Sequence, residues 1–265
     1  MSGARDFTLA KYDEVCRALV ETGYPVVGIA DYLQDRAILP TSFVLLRHDV
    51  ESSGRRAVEM AEVEARHRLC ATYFLRRRRG FRRSTITRLR ELGHDIGYHY
   101  DTVARARGDL ARARAMFARD LDELRRQGPV RVASMHGSPL FPWDNRDLWR
   151  AVEPADFGLV GEVYADIDYA DVRYFSDTGR TWHPTLHNLR DHVGAAPECA
   201  VDTTDELIAL LRARRFPRLC LLAHPDRWAA STVAWTIRAG RDWLENGIKD
   251  TLSRFYRVRT GAARP

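Results

Sequence analysis

Three side chains that can bind a metal ion or transfer protons lie close together at the end of an apolar run. His48, Asp49 and Glu51 follow residues 42–46, which are mostly apolar and have the length of a buried strand. In parallel α/β sheets and barrels, ligands and catalytic groups gather at the carboxyl ends of the strands. The pattern therefore predicts the rim of an active site at this position.

Four further apolar runs also carry a His or an Asp at the point where a strand should stop. Their polar residues are His99 with Asp101, His136, Asp177 and His224. An apolar strand has little reason to end in such groups unless a site needs them, because a buried polar group without a partner is costly. Five strand ends of this kind predict that the side chains converge on one pocket.

Helical and strand-like segments alternate along the chain and would hold these strand ends together. Residues 12–20 have the spacing of an amphipathic helix that Gly23 ends, and Ser53 is placed to cap a second helix before a strand at 70–75. Glycines at 93 and 128 end two more predicted helices, each followed by a strand. The repeated order predicts an α/β fold with a parallel sheet, closed or nearly closed, and right-handed crossovers.

The later part of the chain is less regular. Residues 138–202 contain several prolines and many aromatic residues, which predicts short strands and long loops over the pocket. Thr203 with Glu206 is typical of a capping box and predicts a helix over residues 207–214, before the strand that leads to His224. A last helix is predicted from about residue 231 to residue 244.

Length and composition predict one domain over residues 1–265. With 45% hydrophobic and 29% charged residues, the chain can bury a full core, and single α/β barrels commonly reach this size. The net charge is +6, but lysine occurs only at Lys11 and Lys249, so nearly all of the positive charge is arginine. This skew indicates a genome-wide arginine bias, and no specific nucleic-acid partner is expected.

The cysteines and the amino terminus predict a reducing, cytoplasmic setting. Cys16, Cys70, Cys199 and Cys220 form no C-x-x-C pair, and the first ten residues lack the apolar core of a signal peptide. No later run approaches the roughly 20 apolar residues of a membrane span, so no membrane span is expected. The sequence gives no prediction of the oligomeric state.

Six short motifs occur in order over roughly residues 10–230: RHDVE, ATYFL, GHDIGYHYD, MHGSP, YFSDTGRTW and LLAHPDRW. This order resembles the NodB-type polysaccharide deacetylases of the carbohydrate esterase class, and most closely their WbmS-like branch. The resemblance implies a distorted (β/α) barrel of the polysaccharide-deacetylase type. It also implies a divalent metal ion, usually zinc, and the removal of an acyl group from an amino sugar.

The expected chemistry needs a metal site with three protein ligands. A bound metal ion activates water and polarises a carbonyl group, and catalytic zinc typically keeps one position open. Asp49 and His99 are two predicted ligands. The family usually carries a histidine four residues beyond the first, but that position is Val103 here. We favour His136 over Asp101 as the third ligand, because imidazole is the better partner for zinc.

The base of the reaction has three candidates. The family usually has two adjacent aspartates in its first motif, and His48 stands at the first of these positions. Histidine suits the role of general base, since its unperturbed pKa is about 6.5. Glu51 and Asp101 are alternatives to it. The resemblance further implies that His224 protonates the leaving group and that Asp177 orients His224.

The substrate is expected to be an acylated amino sugar, either small or linked to a nucleotide, as the WbmS-like resemblance implies. Tyr100, Trp182 and Trp228 are expected to form apolar walls against a sugar. Arginines at 76–79, with Arg82 and Arg83, follow a predicted strand; we favour a solvated loop, with a phosphate-binding cluster as the alternative. Other hypotheses are a degenerate barrel that binds a carbohydrate without hydrolysis and a different hydrolase or lyase.

Overall fold

A seven-stranded parallel sheet forms the centre of the protein. The computed structural model describes residues 5–77, 81–137, 141–183, 193, 201–233, 235, 236 and 240. The order across the sheet is β5-β4-β3-β2-β1-β7-β6, and every pair of neighbours is parallel. In chain order the strands are β1 (Phe43–Val50), β2 (Thr72–Leu75), β3 (Asp95–Tyr100), β4 (Val132–Met135), β5 (Gly161–Glu162), β6 (Arg173–Ser176) and β7 (Arg218–Ala223).

Eight α-helices connect and cover these strands in the part of the chain that the structure describes. They are α1 (Leu9–Thr22), α2 (Ile29–Gln34), α3 (Gly54–Arg66), α4 (Arg83–Glu91), α5 (Thr102–Arg105), α6 (Leu110–Arg125), α7 (Val163–Asp166) and α8 (Thr204–Arg212). Short 3-10 helices lie at Arg36–Ile38, Asn145–Arg150, Pro154–Phe157 and Pro225–Arg227. None of the helices within the described ranges is long and apolar enough to cross a bilayer.

Side-chain caps explain where the longer helices begin and end. Ser53 accepts a hydrogen bond from the backbone of Arg56 at the start of α3. Thr203 and Glu206 form the predicted capping box at the start of α8. Gly23 ends α1 in the left-handed region, with φ of 66°, where glycine is favoured because it has no Cβ.

The side chains of β1 alternate between two apolar clusters, one on each face of the sheet. Val44 and Leu46 pack in a larger cluster with the covering helices. Phe43 and Leu45 pack in a smaller cluster on the other face. Because successive strand residues point to opposite faces, even-numbered β1 residues face the larger cluster and odd-numbered ones face the smaller cluster. We call the face of the smaller cluster the inner face.

The predicted α/β fold with a parallel sheet is confirmed. The sheet curls into a half-barrel, and closure is not seen in the described residues, because β5 and β6 stand at its two edges. In the described part of the irregular region the strands are the short β5 and β6, as predicted, and they occur together with α7 and two 3-10 helices; 138–140, 184–192 and 194–200 lie outside the described residues. Most of the last predicted helix, at 231–244, also lies outside them.

Candidate active site

Alternation along the strands brings five predicted site residues to the inner face of the sheet. Asp49 and Glu51 continue the odd-numbered series of β1, since Glu51 directly follows the strand end. His99 on β3, His136 after β4 and His224 after β7 stand at the corresponding positions of their own strands. All five therefore approach one mouth at the carboxyl edge of the sheet.

Glu51, His99 and His136 form a compact cluster of metal-ligating groups. Their nearest ligand atoms all lie within 4.8 Å of one another. Nε2 of His99 is 3.2 Å from Nδ1 of His136, and that nitrogen is 3.5 Å from Oε1 of Glu51. Two imidazoles and one carboxylate match the three-ligand sets of catalytic zinc sites.

The hydrogen bonds and charges of this cluster also suit a metal ion. Nδ1 of His99 lies 3.1 Å from the carbonyl oxygen of Ser134, which only accepts, so Nδ1 carries the proton and Nε2 offers a lone pair to the cluster. Burial lowers the pKa of His99 to about 4 and so keeps it neutral. Burial would raise the pKa of Glu51, but nearby His136 and His224 outweigh it and hold that pKa well below its usual range. A neutral His99 and an ionised Glu51 are the forms in which these two side chains bind a metal ion.

Asp49 lies beside the cluster and is held by Arg47. The guanidinium group donates two hydrogen bonds, from Nε at 2.9 Å and from Nη2 at 2.7 Å, to the two carboxylate oxygens of Asp49. Arg47 is further fixed by Ser134 at 2.5 Å and by the hydroxyl of Tyr164 at 3.0 Å. Burial would raise the pKa of Asp49, but Arg47 outweighs it, so the pKa is lowered and the carboxylate stays ionised.

The structure thus brings Glu51, and not Asp49, into the three-residue cluster. Oδ2 of Asp49 is 3.8 Å from Nε2 of His99, so its carboxylate can reach a group bound there. Its two oxygens are already engaged by Arg47. The arrangement favours an exchange of the expected roles of Asp49 and Glu51.

His224 and Asp177 form a buried dyad at the opposite side of the mouth. Nδ1 of His224 is 2.6 Å from Oδ1 of Asp177, while Oδ2 accepts from the backbone of His224 at 2.9 Å and from the indole of Trp228 at 2.8 Å. Burial would raise the pKa of Asp177, but His224 outweighs it and lowers the pKa. The carboxylate therefore orients the ring and leaves its Nε2 for the site.

His48 points to the other face of the sheet, away from this cluster. Its Nε2 lies 2.6 Å from Oε1 of Glu64 and its Nδ1 lies 3.1 Å from the carbonyl oxygen of Ala223. The hydroxyls of Tyr12 and Tyr73 also donate to Glu64, at 2.5 and 2.6 Å. Both ring nitrogens of His48 are thus engaged in a buried network, a position that does not suit the base expected from the sequence.

Asp101 is engaged by arginines. Asp101 directly follows β3, but its backbone has already left the extended conformation, with ψ of 28°, where the chain turns into α5. Its carboxylate accepts from Arg76 at 2.9 and 2.7 Å and from Arg105 at 3.3 Å. These bonds and the turn into α5 argue against Asp101 as the third ligand.

The predicted arginine cluster is only partly described. Arg76 is paired with Asp101, and Arg77 is paired with both Asp120 and Glu123. Positions 78 and 79 lie outside the described residues. Arg76 and Arg77 are thus neutralised by carboxylates, whereas no ion pair among the described residues involves Arg82 or Arg83.

The prediction that three aromatic side chains form apolar walls against a sugar was wrong. Tyr100, Trp182 and Trp228 are 0%, 2% and 0% exposed, respectively, and none of them is available to a sugar. They form core contacts, and Trp228 also supports Asp177.

Arg47 is the main site residue that sequence reasoning missed. It stands two residues before Asp49, so strand alternation alone places both side chains on the same face. An arginine directly after the apolar run, two residues before a carboxylate, was the available signal.

Several solved structures are similar to this chain. One is a pseudoenzyme of carbohydrate esterase family 4 (CE4) from Bacillus anthracis, 15% identical with a TM-score of 0.44; the match covers 76% of this chain and 60% of that one. A CE4 esterase from Streptococcus mutans is 16% identical with a TM-score of 0.47, over 86% of this chain and 90% of that one. A family 4 carbohydrate esterase from Bacillus anthracis is 12% identical with a TM-score of 0.40, over 88% and 85%.

The chain therefore spans about 60% of the length of the pseudoenzyme. The sequence matches no protein-family model and no curated protein. A fold does not fix an activity, so the activity has to follow from the side chains at the site.

Proposed function

We propose that the protein is a metal-dependent deacylase that hydrolyses an acetamido or related acyl group on an amino sugar. The observation that carries this proposal is the cluster of Glu51, His99 and His136 beside the Asp49–Arg47 ion pair. The order of the six motifs, which resembles NodB-type deacetylases and their WbmS-like branch, supports the same reaction. The free thiols of Cys16, Cys70 and Cys220 are compatible with the cytoplasm, where we propose that the enzyme works.

Glu51, His99 and His136 would hold the metal ion, most simply zinc. When bound, such an ion acidifies water and polarises the carbonyl oxygen of the amide. The backbone carbonyl of Ser134 fixes the His99 ring, so the ligand nitrogen is oriented before anything binds. The three-residue cluster needs no ligand from position 103, where Val103 is buried.

Asp49 is the proposed general base. Its carboxylate is ionised and lies 3.8 Å from Nε2 of His99, so it is placed to accept a proton from water at the cluster. Arg47 holds both carboxylate oxygens, which limits the rotation of the base and keeps it aimed at the same position. A carboxylate with a lowered pKa can still act as the base, because a bound metal ion would make the water that it deprotonates more acidic.

His224 is the proposed general acid. Its Nδ1 faces the carboxylate of Asp177, so Nε2 can give a proton to the departing amine on the other side of the ring. Asp177 would stabilise the protonated ring and act as a positioning residue. Asp49 and His224 would thus serve opposite ends of the breaking amide bond.

Elemental analysis of protein purified without chelator or affinity nickel tests this proposal. We expect near-stoichiometric zinc in the wild type, and loss of that zinc in Glu51→Ala, His99→Ala and His136→Ala. Asp49→Asn is the matched variant, because it should keep the metal and lose acetate release from acetamido sugars. If Asp49→Asn loses zinc while Glu51→Ala retains it, Asp49 is a metal ligand, as the sequence predicted, and Glu51 is not.

The same measurement separates hydrolysis from binding alone. A wild type that takes up no metal even after zinc is added would contradict the proposed reaction. That result would favour a degenerate barrel that binds a carbohydrate, because a pure binding module does not need a ligated ion.

A further inference from the structure

A surface cavity of about 680 Å³ lies where the first turns of α3 and α4 meet. Ser52, which lines it, directly follows Glu51 in the chain, so the cavity begins one residue from the proposed metal cluster. The backbone and hydroxyl of Ser52 both donate to Asp226 at 2.9 Å, two residues after His224. Ser52 therefore connects the wall of the cavity, through the chain, to Glu51 and, through hydrogen bonds, to the loop that follows His224.

Two helices present their amino-terminal ends to this cavity. Helix α3 has 13 residues and α4 has nine, and the first backbone N–H groups of a helix have no acceptor within it. A Cβ at Gly54 would lie 2.3 Å from Oγ1 of Thr85, so only glycine allows the two helix starts to approach this closely. Their dipoles add at the same place and favour a negative charge there.

Thr85 provides an independent sign of a ligand. Its side chain lines the cavity, and the residue is only 7% exposed. Within the described ranges its hydroxyl forms no hydrogen bond with the protein, and it does not belong to the buried polar atoms that lack a partner, so it is open to the cavity. A group bound in the cavity can therefore form a hydrogen bond with this hydroxyl.

The charged residues around the cavity are arginines. Arg55 is paired with Glu59, and Arg88 with Glu62 and Glu91. Arg82 lines the cavity, is exposed and forms no ion pair with any residue that the structure describes. No acidic residue lines the cavity among the described residues. The site thus combines one guanidinium group without an ion pair, the hydroxyls of Ser53, Ser84 and Thr85, and two helix starts, which is a set of donors for phosphate oxygens.

We propose that this cavity binds a phosphate group of the substrate and so aims the acetamido group of the attached sugar at the metal cluster. The inference rests on the proposed deacylase function and narrows its substrate to phosphorylated acylamino sugars. Such a phosphate belongs either to a sugar phosphate or to the diphosphate of a nucleotide sugar. Arg82 would hold it, whereas the described arginines at 76 and 77 are paired elsewhere.

Isothermal titration of the zinc-loaded protein with inorganic phosphate and with pyrophosphate tests the site. We expect Arg82→Gln and Thr85→Val each to weaken phosphate binding by about tenfold, the usual scale for losing one charge-assisted or buried hydrogen bond. The matched control is Arg83→Gln, because Arg83 is exposed and does not line the cavity. Equal affinity in Arg82→Gln and wild type, or no phosphate binding at millimolar concentrations, overturns the inference.

Two further ligands distinguish the sources of the phosphate. If N-acetylglucosamine 1-phosphate binds as tightly as UDP-N-acetylglucosamine, the substrate is a sugar phosphate. If UDP-N-acetylglucosamine binds clearly more tightly, the substrate is a nucleotide sugar. If uncharged N-acetylglucosamine binds as tightly as both phosphorylated ligands, the inference is contradicted.

The metal proposal and the phosphate inference can fail separately. A Glu51→Gln variant should lose metal yet bind phosphate as the wild type does. Acetate release without any phosphate binding would sink only the phosphate site. Phosphate binding in a wild type without zinc or acetate release would sink only the deacylase.

Discussion

Strand β1 carries a buried ion pair on each of its faces, and the two pairs differ in what surrounds them. On the inner face, Arg47 binds Asp49 next to the cluster of ligand atoms from Glu51, His99 and His136. On the outer face, His48 binds Glu64, and the two oxygens of that carboxylate accept from Tyr12 and Tyr73 as well. The outer network is saturated by the protein, whereas the inner one has donor atoms left for a ligand.

This difference shows that neighbours in a strand need not share a role. His48 and Asp49 are adjacent in sequence, yet they serve different faces. Residues at a spacing of two, such as Asp49 and Glu51, lie on the same face and share the site. We therefore expect the inner pair to control catalysis and the outer pair to control stability.

Substituting His48 and Asp49 one at a time is the sharpest test of the difference between the two faces, and one of these substitutions has the largest expected effect. Asp49→Asn should lower kcat by about 10²–10⁴-fold, the usual contribution of a general base. His48→Gln should leave kcat within the same order of magnitude, because its side chain does not face the site. Steady-state acetate release, normalised to the folded fraction, measures both variants.

The comparison fails if His48→Gln loses as much activity as Asp49→Asn while it remains folded and zinc-loaded. That pattern would make His48 the base and would revive the assignment from the first motif. Circular dichroism and zinc content on the same samples exclude loss of fold or metal as the cause.

The second largest effect is expected on stability and from the outer pair. Glu64→Gln removes the charge that His48 needs, and breaking one partner of a buried ion pair costs about 3–5 kcal/mol. Glu62→Gln is the control on the same helix, since Glu62 is 44% exposed and pairs with Arg88 at the surface. That change should cost about 1 kcal/mol or less. Urea unfolding gives both free energies, and equal losses would contradict a special role for the outer pair.

The positions of the strand ends could be predicted from the sequence, and they account for most of the site. The predicted groups His99, His136 and His224 reach one mouth because each follows an apolar run in a parallel sheet. The faces of β1 could not be predicted. Because parallel strands are buried on both sides, their sequence is a continuous apolar run without alternation. Nothing in residues 42–46 indicates whether position 48 or position 49 points inwards.

Glu64 illustrates a second limit of the sequence. It occurs in a predicted helix with many charged residues, where the ordinary interpretation is a solvated face. In the structure it is 0% exposed, because His48 and the hydroxyls of Tyr12 and Tyr73, which lie on other elements, supply its partners. Such a network depends on tertiary contacts between α1, β1, α3 and β2, and no local pattern encodes it.

The smallest expected effect is the pH dependence of stability that the outer pair produces. Burial would raise the pKa of Glu64, but His48 outweighs it, so the pKa falls below its ordinary 4.5. Burial would lower the pKa of His48, but Glu64 outweighs it, so the pKa rises above its ordinary 6.5. The contribution of Glu64 is therefore present above pH 4.5 and lost as pH falls through its folded pKa. That of His48 is present below pH 6.5 and lost as pH rises through its folded pKa.

The free energy of unfolding that the pair contributes should thus be greatest between pH 4.5 and 6.5. Each unit of pKa shift corresponds to about 1.4 kcal/mol. Urea unfolding of the wild type and Glu64→Gln across this range and beyond both its ends measures the contribution as a difference. The difference should shrink at both extremes, because one partner then loses its charge. A difference that stays constant with pH would mean that His48 and Glu64 interact as neutral groups, and the contrast between the two faces of β1 would lose its electrostatic basis.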